Sequence, residues 1–335
     1  MRKKYIGYLL LAVIGVVLAV GIYVVTHKKP PVGPGATEGI AISPEDKSSA
    51  LYREIQEISG EYEIEPIDAT VDRVWKAIPG YNGLEVDIDA SYRAMQSEGV
   101  FDMDKIVLKE IPPRVHLGDL DPEPIYRGNP EKPMVAFLIN VAWGDEYIAG
   151  ILEALDKHKV KATFFFDGSW TKKSPDLARK IYEAGHEIGN HAYSHPDLQR
   201  YSKEQTVEEI RKTNEVIEET LGVKPIWFAP PSGSFNEVTI QVADELGMKT
   251  ILWTVDTVDW RKPATQEMVS RVVSQVENGT MILMHPTQPT AEGIDAMITN
   301  IKEKGYHLGT VTNLMDEKRV SREGSKPPKI GSGLK

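Results

Sequence analysis

The chain has no cysteine among its 335 residues. Disulfides, thiolate metal sites and a cysteine nucleophile are therefore excluded. The compartment stays open, because many extracytoplasmic bacterial proteins also lack this residue. Positive charge is short as well. The 39 Lys and Arg stand against 49 Asp and Glu, a net charge of −10, which speaks against any general affinity for nucleic acid. A more local shortage lies in VAFLINVAWGDEY, residues 135–147. Val135 to Ile139 form an unbroken apolar run that reads as a buried strand. In many α/β enzymes such a strand ends in residues that do chemistry. This one ends in Asn140-Val141-Ala142, with neither an acid nor a nucleophile.

What is present begins with YIGYLLLAVIGVVLAVGIYVV, Tyr5 to Val25, which carries no charge. As a helix it spans roughly 32 Å, enough for a hydrocarbon core of about 30 Å. Arg2-Lys3-Lys4 precede it and His27-Lys28-Lys29 follow. The slight excess of positive charge places the N-terminus inside, and no small-x-small cleavage site directly follows the run. Residues 1–29 are therefore expected to be a retained signal anchor, with the body outside the cytoplasm and tethered to the membrane.

A Pro/Gly-rich linker is expected over 30–48, starting at Pro30-Pro31-Val32-Gly33-Pro34-Gly35. A small N-terminal domain, 51–117, follows; no chemistry can be placed in it. A second linker, 118–132, is rich in Pro, Asp and Glu. From 133 to 315 apolar strands alternate with amphipathic helices. The strands are expected near 134–140, 162–166, 186–190, 226–229, 248–255, 280–285 and 306–311. Several helices close on Gly, as at Gly185, Gly222, Gly247, Gly279 and Gly305. Seven such strands predict a parallel α/β sheet, open or closed into a barrel. The remainder, 316–335, is basic and rich in Gly, Ser and Pro, and is expected to be a flexible tail.

In this architecture a site forms at the C-terminal ends of the strands. Those ends offer Asn140; His191 and His195; Ala229-Pro230-Pro231; Asp256, Asp259 and Trp260; and His285. His191 and His195 are four apart, and on a helical turn both rings would project from one face and reach one metal. A surface pair arising by chance has the same spacing. His285 ends an apolar strand and can exchange a proton near neutrality, or it can be a histidine satisfied by backbone. Asp256 and Asp259 can orient that histidine, or simply cap turns.

The segments KATFFFDGSW, GHEIGNHAYSHPDL, PPSGSFN, WTVDTVDW and ILMHP, in that order, resemble the signature segments of the polysaccharide deacetylase family. This is the NodB-homology domain, or carbohydrate esterase family 4. The resemblance runs from about Pro133 to Leu314. It implies a distorted (β/α) barrel of seven parallel strands. It also implies hydrolysis of the N-acetyl C–N amide of chitin-like glycans or peptidoglycan, with a zinc-like divalent metal. Carried over, His191 and His195 match the metal-binding histidines, and His285 the acid that protonates the departing amine. Asp259, or failing that Asp256, matches its carboxylate partner. Trp260 matches the neighbouring aromatic of the substrate groove, and Pro230, Pro231 and Gly233 match the third motif.

The first motif departs from the family's Thr-Phe-Asp-Asp-Gly-Pro. Asn140 stands at the general base, Val141 at the metal-binding carboxylate, and Ala229 and Ser232 at the third motif's arginine and tyrosine. An amide oxygen cannot act as the base at neutral pH, and base assistance is typically worth about 10²–10⁴-fold. Two histidines without the carboxylate should hold metal weakly or not at all. Asp145, Glu146 and Asp167 are the carboxylates that could stand in; otherwise they are helix N-terminal and loop acids. The anchor, the VDRVWKAIPGYNGLEVDI segment and the altered first motif resemble, within the family, the YlxY-type group of sporulation proteins. That implies an envelope setting with peptidoglycan as partner. Three functions remain open: a hydrolase with a rebuilt site, a non-catalytic relative that binds glycan or a sporulation partner in the same groove, or a purely structural envelope protein whose histidines are leftovers.

Overall fold

A computed structural model describes residues 42–320. The expected anchor, Tyr5–Val25, and the tail beyond residue 320 lie outside the described residues. Among those that are described, no helix is long and apolar enough to cross a membrane. Residues 42–49 hold one short helix, Pro44–Lys47, capped by the Ser43 side chain.

Ala50 onward forms one compact unit. It starts with the helix Ala50–Ile58 and two antiparallel pairs. Strands β1 (Thr70–Asp72) and β2 (Lys76–Ile78) form a hairpin, and β3 (Gly83–Val86) pairs with β4 (Leu108–Ile111). Between β3 and β4 in the chain lies the helix Ile88–Met95, capped by Asp87.

The larger part carries strands β5 (Met134–Val141), β6 (Thr163–Phe166), β7 (Glu187–Asn190), β8 (Trp227–Phe228), β9 (Lys249–Thr250), β10 (Val255–Asp256), β11 (Met281–Met284) and β12 (His307–Gly309). All pair in parallel, in the order β10-β11-β5-β6-β7-β8-β9, with β12 also on β5. The expected strand 248–255 is two short strands instead. The chain bends out of the sheet between them, and the curve of seven strands opens between β9 and β10, giving a half-barrel.

Strand β5 is buried along its whole length because it lies at the centre of the sheet. Its alternation sorts two layers. Val135, Phe137, Ile139 and Val141 join the cluster beneath the helices, with Ile148, Phe166 and Met284. Met134, Ala136 and Leu138 face the barrel interior, with Phe165, Trp227, Ala229 and Met281. Asn140 therefore points inward, and Val141 points to the helix layer.

The segment 118–132, expected as a linker, is built onto the open edge. Ile125 is fully buried; its N–H donates to Thr250 O (2.9 Å), and its carbonyl accepts from Leu252 N–H (2.8 Å). Pairing an edge in this way satisfies backbone groups that would otherwise stay open. The start of the expected tail is also held. Arg319 lies over the Tyr81 ring at 4.5 Å and donates to Asn82 O, and Asn82 N–H donates to Glu317 O.

His186, just before β7, gives the fold a pH dependence. Its Nδ1 accepts from Ala162 N–H (3.2 Å), and its ring packs on Phe164. Burial, with the Lys161 charge adding to it, brings its pKa down from 6.5 to about 4. The folded value is below the unfolded one, so the proton prefers the unfolded chain. Stability is complete above pH 6.5 and falls as pH drops from 6.5 toward 4, by ~1.4 kcal/mol per unit from this residue. Urea midpoints measured across that window should decline. The slope should flatten by about that amount in His186→Gln, and an unchanged slope would contradict the assignment.

Candidate active site

The strand ends converge on a cleft of about 370 Å³, lined by Asn140, Trp143, His195, Ser232, Trp253, Asp256, Trp260, Leu283 and His285. Its strongest internal feature is a carboxylate–imidazole pair. Asp259 is fully buried, and its Oδ1 accepts from His285 Nδ1 (2.9 Å). Its Oδ2 accepts from His285 N–H (2.6 Å), Thr290 Oγ1 (2.6 Å) and Thr287 Oγ1 (3.3 Å). Burial raises the Asp259 pKa, but the hydrogen bonds and charge from His285 and the Thr290 bond outweigh it, so the net shift is downward. Asp256 does not hold His285; it lines the cleft, and its Oδ1 accepts from Val258 N–H (2.7 Å). Nδ1 of His285 is thus engaged, which leaves Nε2 as the ring atom for proton exchange.

The backbone that delivers these groups is strained. Val258 (φ 50°), Ser232 (φ 54°), His195 (φ 55°) and Ala192 (φ 59°) all occupy the left-handed region without being glycine. Such residues cost about 1–3 kcal/mol each and persist where the surroundings fix them. Around the histidines, that fixing is visible. The Glu209 carboxylate accepts from Tyr193 N–H, Ser194 N–H and Ser194 Oγ, all at 2.8–2.9 Å. Asn190 donates to Ile210 O and Asn214 Oδ1 while accepting from Ala192 N–H.

The two histidines do come together, though not through a helical turn. Residues 191–197 form an irregular loop, and its two left-handed residues bring the rings to 5.3 Å between centroids. His191 is buried, and its Nδ1 lies 2.7 Å from Ala229 O. A carbonyl only accepts, so Nδ1 carries the proton and Nε2 keeps its lone pair. Burial first, then the His195 charge, brings the His191 pKa down to about 3, so the ring is neutral.

Two imidazoles side by side suit a divalent metal, but the third ligand does not follow. Among the described residues no three His, Cys, Asp or Glu side chains form a metal-holding group. Val141 is apolar and faces the helix layer. Asp145 accepts from Trp170 Nε1 (2.6 Å) and Ser174 Oγ (2.9 Å). Asp167 is buried as the cap of the helix Gly168–Lys173, accepting from Ser169 Oγ and Trp170 N–H. Glu146 is exposed, and none of the three lines the cleft. Of the expected stand-in carboxylates, Asp167 lies within reach of the His195 charge but is committed as a helix cap, Asp145 is held by Trp170 and Ser174, and Glu146 is exposed. The donor set does not fit a three-ligand catalytic metal.

Of the groove residues, Trp260 is half exposed on the cleft, with the Arg261 guanidinium over its ring at 4.7 Å. Pro230 and Pro231 are buried, and the exposed Ser232 takes the place on the cleft expected of Pro231. Trp143 and Trp253 complete the aromatic lining. Trp143 stacks on His285 at 6.0 Å with ring planes 7° apart. Gly144 makes this possible: at φ 86°, a Cβ there would meet Pro286 O at 2.0 Å. Sequence reasoning missed Trp143, Trp253, Asn190 and Glu209 as parts of the site. Trp143 was legible as a large aromatic directly after the strand end. Trp253 and Glu209 reach the site only through the fold.

The polysaccharide deacetylase family model matches residues 127–251. Uncharacterized protein YlxY of Bacillus subtilis is 54% identical over 286 residues, covering 85% of this chain and 90% of that protein. Peptidoglycan-N-acetylmuramic acid deacetylase PdaA of the same species is 30% identical over 200 residues, covering 58% and 76%. Among solved structures, BA3943 of Bacillus anthracis, described as a CE4 family pseudoenzyme, has a TM-score of 0.76 at 49% identity, covering 81% of this chain and 96% of its own. A mutant of BA3943, described as having restored enzymatic activity, matches with the same TM-score at 48% identity, covering 81% and 99%.

Proposed function

The chain belongs to the polysaccharide deacetylase family, and from that premise we propose that it is a peptidoglycan-facing member whose deacetylase site has little or no hydrolytic activity. The observation that carries this is the composition of one cleft. The acid half of the site, Asp259–His285, is intact, whereas Asn140, Val141 and Ala229 replace the base, the anionic ligand and the arginine together. Amide hydrolysis needs a proton taken from water on one side and given to the amine on the other. His285, oriented by Asp259, can give. Asn140, at the position of the family's base, cannot take, since a carboxamide is no base at neutral pH. His191 and His195 alone would hold a divalent metal weakly, so activation of water by metal is weakened too.

The pseudoenzyme character of BA3943 supports the reading, as does the restored activity of its mutant. PdaA and the other peptidoglycan deacetylases among the relatives support the glycan. The cellular setting belongs to the same proposal: a single-pass anchor at Tyr5–Val25, the N-terminus cytoplasmic, the main domain outside, and a role in sporulation. A second reading, an active hydrolase, is favoured by the intact Asp259–His285 pair.

Acetate release from N-acetylglucosamine oligomers and purified peptidoglycan, with zinc or cobalt present, separates the two. No release from folded protein is the expected result. Metal-dependent release that His191→Ala and His285→Ala each abolish would establish the hydrolase instead.

A further inference from the structure

The chain leaves its last described helix, Val311–Met315, and crosses the small domain as a strap, residues 316–320. Lys132 holds the start of the strap. Its ammonium is buried and donates to Asn313 O (2.6 Å) and Asp316 O, at the C-terminal end of that helix, where a cation is favoured. The far end rests on Tyr81: Arg319 lies over the ring, and Val320 N–H donates to its hydroxyl (3.3 Å). Between the two ends, Arg319 N–H donates to Glu110 (3.1 Å), and Glu317 O accepts from Asn82 N–H (2.8 Å). Tyr81, Asn82 and Glu110 all belong to the small domain, so the strap joins that domain to the barrel.

The Glu317 carboxylate sits at the middle of this join. Only 16% of its side chain is exposed. Its Oε1 lies against Gly80, where a Cβ would meet it at 3.0 Å, and has no hydrogen-bond partner among the described residues. Its Oε2 is 2.6 Å from His116 Nδ1. A carboxylate so enclosed is held well while its partner is cationic and poorly once the partner is neutral. The His116 ring is half exposed, so it exchanges its proton directly with solvent.

We propose that Glu317 and His116 form a pH-gated clasp, which holds the strap on the small domain while His116 is protonated and loosens when that proton leaves. The bond to Glu317, then the Glu317 charge, lifts the His116 pKa above 6.5; partial burial opposes this, and Asp119 and Asp68, which also face the ring, add to it. The folded value is above the unfolded one. The clasp is therefore complete below pH 6.5 and is lost as pH rises through the folded value. The other charged groups around the strap are Asp316, Lys318, Arg319, Glu110, Glu131 and Lys132. Burial brings Lys132 down to about 8, against the pull of Asp316 and Glu110, so its grip on the helix end is still cationic at neutrality. Neither His116 nor Glu317 lines the cleft, and the clasp is independent of whether the site hydrolyses anything.

Hydrogen exchange of the full chain at pH 6.0 and pH 7.5, corrected for the intrinsic pH dependence of amide exchange, tests this. Protection of the Asn82 and Arg319 amides should be about fivefold lower at pH 7.5, because a charge-assisted hydrogen bond is roughly twice as strong as a neutral one. Ile139, at the centre of the sheet, should show no such fall. His116→Gln and Glu317→Gln should each give the lower protection at both pH values. Equal protection at the two pH values in the unaltered chain would overturn the proposal. So would a fall of the same size in either variant, which would assign the titration to another group, or a matching fall at Ile139, which would make it a property of the whole fold.

Discussion

A chain carrying Asn140→Asp, Val141→Asp and Ala229→Arg together is expected to release acetate from N-acetylglucosamine oligomers, with zinc present, at least about 10²-fold faster than the unaltered chain. The three changes have to act jointly for physical reasons. Position 140 is nearly solvent-free, so a lone carboxylate there would be desolvated and protonated in part, a poor base. An arginine at position 229 supplies the opposing charge. On its own that arginine would be an unpaired cation beside Phe165 and Trp227. Position 141 is the hardest. Its side chain lies among Ile139, Ile148 and Phe166, where an unpaired carboxylate is strongly disfavoured. Only a metal held by His191 and His195 gives a carboxylate at that strand end reason to turn toward the cleft. Val141→Asp alone is therefore expected to destabilise, by about 2–4 kcal/mol, and to release no acetate. Acetate assays on all single, double and triple variants decide this. A folded, metal-loaded triple variant without activity would show that more of the site than these three positions has been lost.

Removing the Asp259 carboxylate should damage the fold whether or not the site is active. In Asp259→Ala, His285 N–H, Thr290 Oγ1 and Thr287 Oγ1 lose their acceptor inside a buried pocket, and His285 loses its orientation. Breaking a buried charged network from one side typically costs about 3–5 kcal/mol, which lowers the melting temperature by on the order of 10 °C. The pH dependence has a definite sign. The folded pKa of Asp259 is depressed, so its contribution is present above the unfolded value near 4 and is lost as pH falls through the folded value. Denaturation of Asp259→Ala should thus converge on that of the unaltered chain only under strongly acidic conditions. A melting point within a degree of the parent at neutral pH would mean that the pair contributes nothing to the fold and is retained for chemistry alone.

Much of this molecule is written locally. The parallel architecture follows from repeated apolar strands separated by amphipathic helices, and six of the seven expected strands are present near their expected bounds. The seventh, 248–255, failed because an apolar run does not record that Leu252, Trp253 and Thr254 leave the sheet. The pairing of Asp259 with His285 was legible because a carboxylate and a histidine ended neighbouring strands. The closeness of His191 and His195 was legible too, but for the wrong reason. Spacing of four suggested a helical face, while the structure uses a left-handed loop pinned by Glu209.

The sequence by itself determined which functional groups are available, because covalent chemistry does not depend on the fold. No cysteine, no acid at Asn140-Val141 and no arginine at Ala229 are facts at any geometry. Only the tertiary structure decided how the remaining groups are used. Strand alternation turns Asn140 into the cleft and Val141 away from it. The carboxylates that looked able to replace the missing ones, Asp145 and Asp167, are engaged by Trp170, Ser169 and Ser174. Among the described residues the Asn140 oxygen is left without a partner. Apart from the local cap at Asp167, these outcomes depend on contacts between residues distant in the chain, and on the cost of leaving buried polar groups unpaired. That cost arises only once the chain has folded around them.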